Sequence, residues 1–221
     1  MRHAAYGVQH TKIAGVIFDY GMVLARTLDP MPRALWERRL GLAPGALTQI
    51  VHNEQSWIAA QRGDITVAAH WQAIGSTLGL TSVETAALRA AFYRGDTLNV
   101  ELVACLDTLR RAGLRLGLLS NFSTDLRTML AQQDLLRRFD HIAISAEIGA
   151  MKPAAAAYTA ILNMLALPAA ACIFIDDQSV NVAAAQALGL HGIVFHDNAS
   201  CLAELNSLLT AQPANPRGLP P

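Results

Sequence analysis

The stretch Val16-Ile-Phe-Asp-Tyr-Gly-Met-Val-Leu24 governs how the rest of the chain is read. Its first half belongs to an apolar run, Ile13–Phe18 (IAGVIF), that ends abruptly on the carboxylate of Asp19. The run is apolar at successive positions, the pattern of a strand covered on both faces in a parallel sheet. Four later runs have the same length and character: Leu114–Leu119, His141–Ile144, Cys172–Ile175 and Gly192–Phe195. Helical patterns separate them. Asn99 caps a segment carrying Leu102, Val103, Leu106 and Leu109 that stops at Gly113; Ala154–Leu165 ends before Pro168; Gln178–Leu188 ends at Gly189. Alternating strands and helices specify an α/β fold with a parallel sheet and right-handed crossovers.

One stretch breaks the alternation. Between the first strand and Asn99, about seventy residues carry no strand pattern and read as helices. The first is Arg33–Leu40, stopped by Gly41; a second follows Pro44 with Leu47, Ile50 and Val51. A third starts near Thr66 and spaces Val67, His70, Trp71, Ile74 and Leu78, and a fourth opens on the capping box Thr81–Glu84. The spacing predicts a helical insert over 28–97, with hinges near Leu28–Pro30 and Gly95–Thr97, on a core of 1–27 and 98–211. The proline-rich end, 212–221, is expected to be a disordered tail.

Composition bounds the function. The 221 residues carry 17 Lys+Arg against 17 Asp+Glu, for a formal net charge of zero, and 52% of them are hydrophobic. A chain this apolar is a globular one. A neutral chain with no basic stripe is a poor partner for nucleic acid, whose binding rests on phosphate neutralisation. No apolar run reaches the length of a membrane span, and Met1–Lys12 has no apolar core of the signal-peptide kind. Cys105, Cys172 and Cys201 lie apart in apolar surroundings and read as free thiols of a cytoplasmic protein.

The chemistry gathers at the C-terminal ends of the strands, the edge where open α/β sheets bind ligands. Asp19 and Gly21 follow the first strand, with Gly21 allowing a tight turn and an accessible carbonyl. Ser120 and Asn121, in Leu118-Leu-Ser-Asn-Phe-Ser123, offer hydroxyl and amide donors just before a helix. Lys152, in Gly149-Ala-Met-Lys-Pro153, puts a cation at a helix N-terminus, a position that favours a nearby anion. Asp176 and Asp177, followed by Asn181, are adjacent carboxylates whose repulsion a hard divalent cation relieves. A carboxylate nucleophile, neutral donors, a lysine and a metal-binding acid together are the parts phosphoryl transfer needs.

In order and spacing these segments resemble the four motifs of the haloacid dehalogenase (HAD) superfamily, from about Ile13 to Leu209. The insert resembles that family's C1 cap, with Gln61-Arg-Gly-Asp-Ile-Thr66 similar to a segment common in such caps. FDYGMVL, LLSNFS, GAMKP and FIDDQSVNVAAAQALG are most similar to the branch that includes α-D-glucose-1-phosphate phosphatases. The resemblance implies a Rossmann-like sheet in the order 5-4-1-2-3 and a Mg²⁺-dependent phosphatase of a small phosphorylated metabolite, with sugar phosphates among the options. Asp19 would form an aspartyl-phosphate. Asp19, the Gly21 carbonyl and Asp177 would hold Mg²⁺; Ser120, the Asn121 backbone and Lys152 would hold the phosphoryl group; Asp176 and Asn181 would orient from behind. A monomer or homodimer is expected.

The chain departs from the superfamily where most phosphatases carry a second Asp, two residues after the nucleophile, that protonates the leaving group. Here that residue is Gly21. Tyr20 is expected to point to the opposite side of the strand, which leaves His52, Glu54 or Asp64 of the insert as substitutes, and Trp57, Arg62, His70 and Trp71 as residues that could face the substrate. Two other readings stay open at this point: a hydrolytic 2-haloacid-type dehalogenase, and a non-catalytic phosphate-binding protein.

Overall fold

In a computed structural model the structure describes residues 12–53 and 55–211, so the tail expected over 212–221 lies outside the described residues, as does Glu54. The buried run that opens the chain becomes β1 (Gly15–Phe18), the central strand of a five-stranded sheet. Ahead of the remaining sheet strands come β2 (Ala25–Thr27) and β3 (Asp96–Leu98). Then follow β4 (Arg115–Ser120), β5 (His141–Ile144), β6 (Cys172–Asp176) and β7 (His191–Val194). The order β5-β4-β1-β6-β7, all parallel, is the expected 5-4-1-2-3 sheet read from the other edge. Phe18 stands opposite Leu118 on one neighbour and Ile175 on the other, so the ends of β1, β4 and β6 are level.

Alternation along each strand divides the core between two faces. Val16, Phe18, Leu116, Leu118 and Ile175 pack on one side against α6 (Val100–Arg111) through Leu102, Leu106 and Leu109. On that same side, α11 (Asn198–Thr210) contributes Cys201 and Leu205. Ile17, Leu119 and Phe174 pack on the other against Tyr158, Ile161 and Leu165 of α9 (Ala155–Leu165) and Ala185 of α10 (Ser179–Ala187). Removing one of these large buried side chains costs about 2–5 kcal/mol, so the sheet holds its strand ends firmly.

Five helices lie between β2 and β3: α1 (Met31–Leu40), α2 (Ala46–Asn53), α3 (Gln55–Arg62), α4 (Val67–Thr77) and α5 (Ser82–Arg94). They have a hydrophobic cluster of their own: Leu47, Val51, Trp71, Ile74, Leu88 and Phe92. Thr66 and Thr81 cap α4 and α5, with the Thr81–Glu84 capping box formed. The sequence pattern names four of these helices and not α3, whose eight residues bury only Trp57 and Ala60, too little to give a helical period.

The sequence reading also found no strand between β1 and Asn99, and the structure corrects it. β2 and β3 pair antiparallel, Thr27 opposite Asp96 and Ala25 opposite Leu98; β2 ends just before the first expected hinge and β3 overlaps the second. Three residues per strand are too few for periodicity to register. The two crossings are clamped just outside this ribbon. Leu28 and Asp29 both donate backbone N–H bonds to the Gly95 carbonyl, and a Cβ on Gly95 would come within 1.8 Å of the Asp29 carbonyl oxygen. Arg33 Nη2 lies 2.8 Å from Asp96 Oδ1, Thr27 Oγ1 donates to the same oxygen at 2.5 Å, and the guanidinium carbon sits 3.9 Å from the Phe92 ring centre. Both partners of the ion pair are largely buried, at 12% and 23% side-chain exposure. Asp96→Ala is expected to lower stability by about 1.5–3 kcal/mol, the worth of hydrogen bonds to a charged group, read as a fall in the urea midpoint at unchanged slope.

Candidate active site

β1 delivers Asp19 because its ladder continues one residue past the strand: Asp19 N–H donates to Ile175 O at 2.9 Å. The chain then turns, with Leu24 and Ala25 both donating to Tyr20 O, which turns the backbone back at Gly21. Tyr20 N–H donates to Asp19 Oδ1 at 2.7 Å and holds the carboxylate at the sheet edge. The Tyr20 side chain is buried elsewhere and donates its hydroxyl to Gln133, as alternation predicts.

Asp176 ends β6 one strand away, and Lys152 bridges the two acids. Its Nζ lies 2.9 Å from Asp19 Oδ1 and 2.6 Å from Asp176 Oδ2. Lys152 is 4% exposed, Asp19 8% and Asp176 fully buried. Asp176 is saturated: Asn181 Nδ2 donates to both its oxygens at 3.0 and 3.1 Å, and Gln178 N–H donates at 2.8 Å. Asp177 is half-buried and accepts from Gln178 Nε2 at 2.6 Å. Carboxylate oxygens of Asp19, Asp176 and Asp177 all lie within 4.8 Å of one another.

Burial is the strongest influence on Asp19 and pushes its carboxyl up to about 6; the Lys152 cation opposes the rise and the Asp176 charge adds to it. Burial also raises Asp177, with Asp176 contributing. Three carboxylates facing one ammonium carry two uncompensated negative charges when ionised. A divalent cation with a preference for oxygen fits this deficit and this donor set.

The opposite wall comes from the β4 side. Ser120 is buried at the end of β4. Asn121 and Lys152 exchange two bonds at 2.8 Å: Asn121 Nδ2 donates to Lys152 O, and Lys152 N–H donates to Asn121 Oδ1. The Asn121 side chain therefore braces the lysine segment, with one of its amide hydrogens committed to Lys152 O. Two local expectations also shift. The helix after Ser120–Asn121, α7 (Leu126–Gln132), starts five residues beyond Asn121, and α9 starts at Ala155, so neither helix N-terminus is at Asn121 or Lys152.

A cleft of about 460 Å³ collects these groups: Asp19, Gly21, Ser120, Asn121, Lys152 and Asn181 from the sheet edge, and His52, Trp57 and Gln61 from the helical insert. The insert is docked through α3. Gln61 Nε2 donates to Asn121 O at 2.9 Å, and Ser145 Oγ, at the start of α8 (Ser145–Ile148), donates to Gln61 O at 2.6 Å. Gly63 makes the approach feasible: its φ of +81° is in the left-handed region, and a Cβ there would come within 2.5 Å of Ala146 O. Trp57 stacks edge-on against Phe122 with ring centres 5.2 Å apart, and His52 lies 5.5 Å from Trp57.

Of the insert residues named from sequence, His52 and Trp57 line the cleft. His70 and Trp71 are buried inside the insert, His70 bonded to Ser56 at 2.9 Å, while Arg62 and Asp64 are exposed and outside the cleft lining. Phe122, Gln61 and Ser145 were not singled out individually. Gln61 and Phe122 lie inside segments that were quoted for other residues, whereas nothing in the sequence marks Ser145.

A family model for haloacid dehalogenase-like hydrolases matches residues 13–189, which include every sheet-edge residue just described. The chain belongs to that family. This haloacid dehalogenase-like hydrolase is 30% identical over 207 residues to the sesquiterpene phosphatase astK of Aspergillus oryzae, covering 90% of this chain and 98% of that one. Its fold is similar to a HAD-like hydrolase of Porphyromonas gingivalis, with a TM-score of 0.74 and 21% identity over 91% of this chain and all of the other. It is also similar to a HAD-family enzyme of Bacteroides thetaiotaomicron solved with magnesium and inorganic phosphate, with a TM-score of 0.71 and 21% identity over 86% of this chain and 98% of that one.

Lys152 is the only cation joined to Asp19 and Asp176 among the described residues. Lys152→Met is therefore expected to strand buried carboxylates and cost about 3–5 kcal/mol of stability at neutral pH, measured by chemical denaturation.

Proposed function

We propose that this hydrolase is a magnesium-dependent phosphatase acting on a small phosphorylated metabolite through an aspartyl-phosphate on Asp19. The observation that carries the reading is the buried Asp19–Lys152–Asp176 arrangement, with Asp177 beside it and two negative charges in excess. Asp19, the Gly21 carbonyl and Asp177 would hold Mg²⁺, which when bound supplies charge neutralisation at the phosphoryl oxygens. Asp19 Oδ1 accepts from both Tyr20 N–H and Lys152, which leaves Oδ2 to attack phosphorus. An Oδ2–P bond forms as the P–O ester bond breaks, its electron pair leaving on the ester oxygen; water then cleaves the acyl phosphate. Ser120, the Asn121 backbone and Lys152 hold the transferring oxygens. Asp176 and Asn181 fix Lys152 from behind.

Residues 28–97 act as the cap, and they choose the substrate. His52 and Trp57 of the cap, with Phe122 of the core, give the cleft aromatic walls. Such walls favour an apolar organic group over a polyhydroxylated one, because rings do not replace the hydrogen bonds a sugar loses on leaving water. The likeness to a sesquiterpene phosphatase supports an apolar ester. Halide displacement by Asp19 would leave the two excess negative charges of the acid cluster without a partner, so phosphoryl transfer is the better account of it. The free thiols Cys105, Cys172 and Cys201 fit a cytoplasmic setting, and no helix among the described residues is long and apolar enough to cross a membrane.

Farnesyl phosphate hydrolysis, followed as phosphate release, is expected to need Mg²⁺, stop on chelation, fall to background in Asp19→Asn and exceed glucose 1-phosphate hydrolysis in kcat/KM. Equal rates with and without Mg²⁺ would remove the metal from the reading, and a preference for the sugar ester would remove the apolar substrate. The missing acid can be tested directly. A Cβ at Gly21 meets nothing within 4 Å, and its φ lies outside the left-handed region. Gly21→Asp is expected to fold normally and to raise kcat toward the 10²-fold or more, on the order of magnitude, that acid–base assistance supplies.

A further inference from the structure

Water attacks an acyl phosphate faster when a neighbouring group takes its proton. The residues lining the catalytic cleft narrow the choice of that group. Asp19 is the nucleophile, Lys152 is locked between two carboxylates, and Gly21 brings no side chain. Asp176 and Asp177 are not part of the lining. The remaining polar lining residues are hydroxyls and amides, which do not titrate near neutral pH. One ionisable group is left among the described residues of the cleft, the imidazole of His52. Asp64, also named from sequence, is exposed outside the lining.

Ring packing holds His52 near the end of α2. Its ring centre lies 5.5 Å from that of Trp57, tilted by 33°, and 5.3 Å from that of Phe92, edge-on. The residue is exposed and lines the cleft, so its edge is open to a bound water. On the packed side, burial and then the charges of Arg33 in α1 and His70 in α4 push the imidazole down to about 4. Trp57 of α3 and Phe92 of α5 add no charge. The ring is therefore neutral at pH 7 and takes a proton more readily than it gives one.

Position agrees with that direction of transfer. Displacement at phosphorus is roughly in line. With phosphorus bonded to Asp19 at the sheet edge, water arrives from the side facing away from that edge. His52 belongs to the insert and not to the sheet edge.

From these observations we infer that His52 is the general base of the second step, an inference that rests on the phosphatase reading. The bond from water oxygen to phosphorus forms as the P–Oδ2 bond breaks. Oδ2 keeps the electron pair, the Asp19 carboxylate returns, and phosphate leaves. The proton of the water passes to the imidazole and from there to solvent.

The test follows p-nitrophenyl phosphate with Mg²⁺ by stopped flow, because nitrophenolate departs without needing a proton. His52→Phe keeps a ring against Trp57 and Phe92 and is expected to melt as wild type does. It is expected to release one nitrophenolate per chain at the wild-type rate and then to turn over about 10²-fold or more slowly. Quenched samples should carry the phosphoryl group on Asp19, read by peptide mass. His52→Ala is expected to show the same two phases and to regain turnover with added imidazole. Wild-type turnover in both variants, a first phase slowed as much as the second, or no gain from imidazole would overturn the role of His52 alone. A wild-type chain that releases no nitrophenolate and never carries a phosphoryl group would overturn the phosphatase reading and this role with it.

Discussion

The ammonium of Lys152, held between Asp19 and Asp176, is the constraint on which the site depends. Three separate lengths of chain meet there, and none of the three side chains is stable buried alone. The lysine must therefore arrive in register with both strand ends. The reciprocal pair between Asn121 and the Lys152 backbone secures this from the β4 side, and Asn181 and Gln178 N–H secure Asp176 from the β6 side. The parallel sheet makes the register available, because Phe18, Leu118 and Ile175 lie level across three strands.

The same logic ties the insert to the core. Gln61 accepts from Ser145 and donates to the carbonyl of Asn121, the residue that braces Lys152. The position of the insert is thereby linked through a single residue to the position of the lysine. At the other end, the Arg33–Asp96–Thr27 cluster and the doubled bonds to Gly95 O hold the two crossings together. The insert is held at its base by buried charge and at α3 by side-chain-to-backbone hydrogen bonds with the core.

The sequence made the sheet legible because both-face burial writes unbroken apolar runs, and it made the four strand-end segments legible because charges there have no packing explanation. It left the short ribbon β2–β3 invisible, since pairing of three residues depends on partners about seventy positions away and not on local pattern. Helix α3 was missed for a related reason: its face is completed by Phe122 and α8, which no window around Trp57 contains. Asn121 stood out as a donor, but the pairing of its side chain with the Lys152 backbone is visible only in the long-range contact. Trp71 was read as lying on the apolar stripe of its helix, and it packs there; its unpaired Nε1 depends on how α4 meets α5 and has no sequence signature.

The two halves of the cleft differ in how freely they can change. Each core residue has its position fixed by a second segment, so a substitution at Asp19, Lys152 or Asp176 propagates into the ion cluster. The insert residues carry no such obligation. Trp57 and His52 are held by ring packing, and exchanging one apolar ring for another of similar volume costs less than about 1.5 kcal/mol. Gly21 stands at the boundary: its backbone is fixed by the turn after β1, yet open space surrounds the position of a side chain. On the proposed reading, bond-making at phosphorus falls to groups that cannot drift and selectivity to groups that can, so the organic part of the substrate would be read by the side chains of the insert more than by the four strand-end segments.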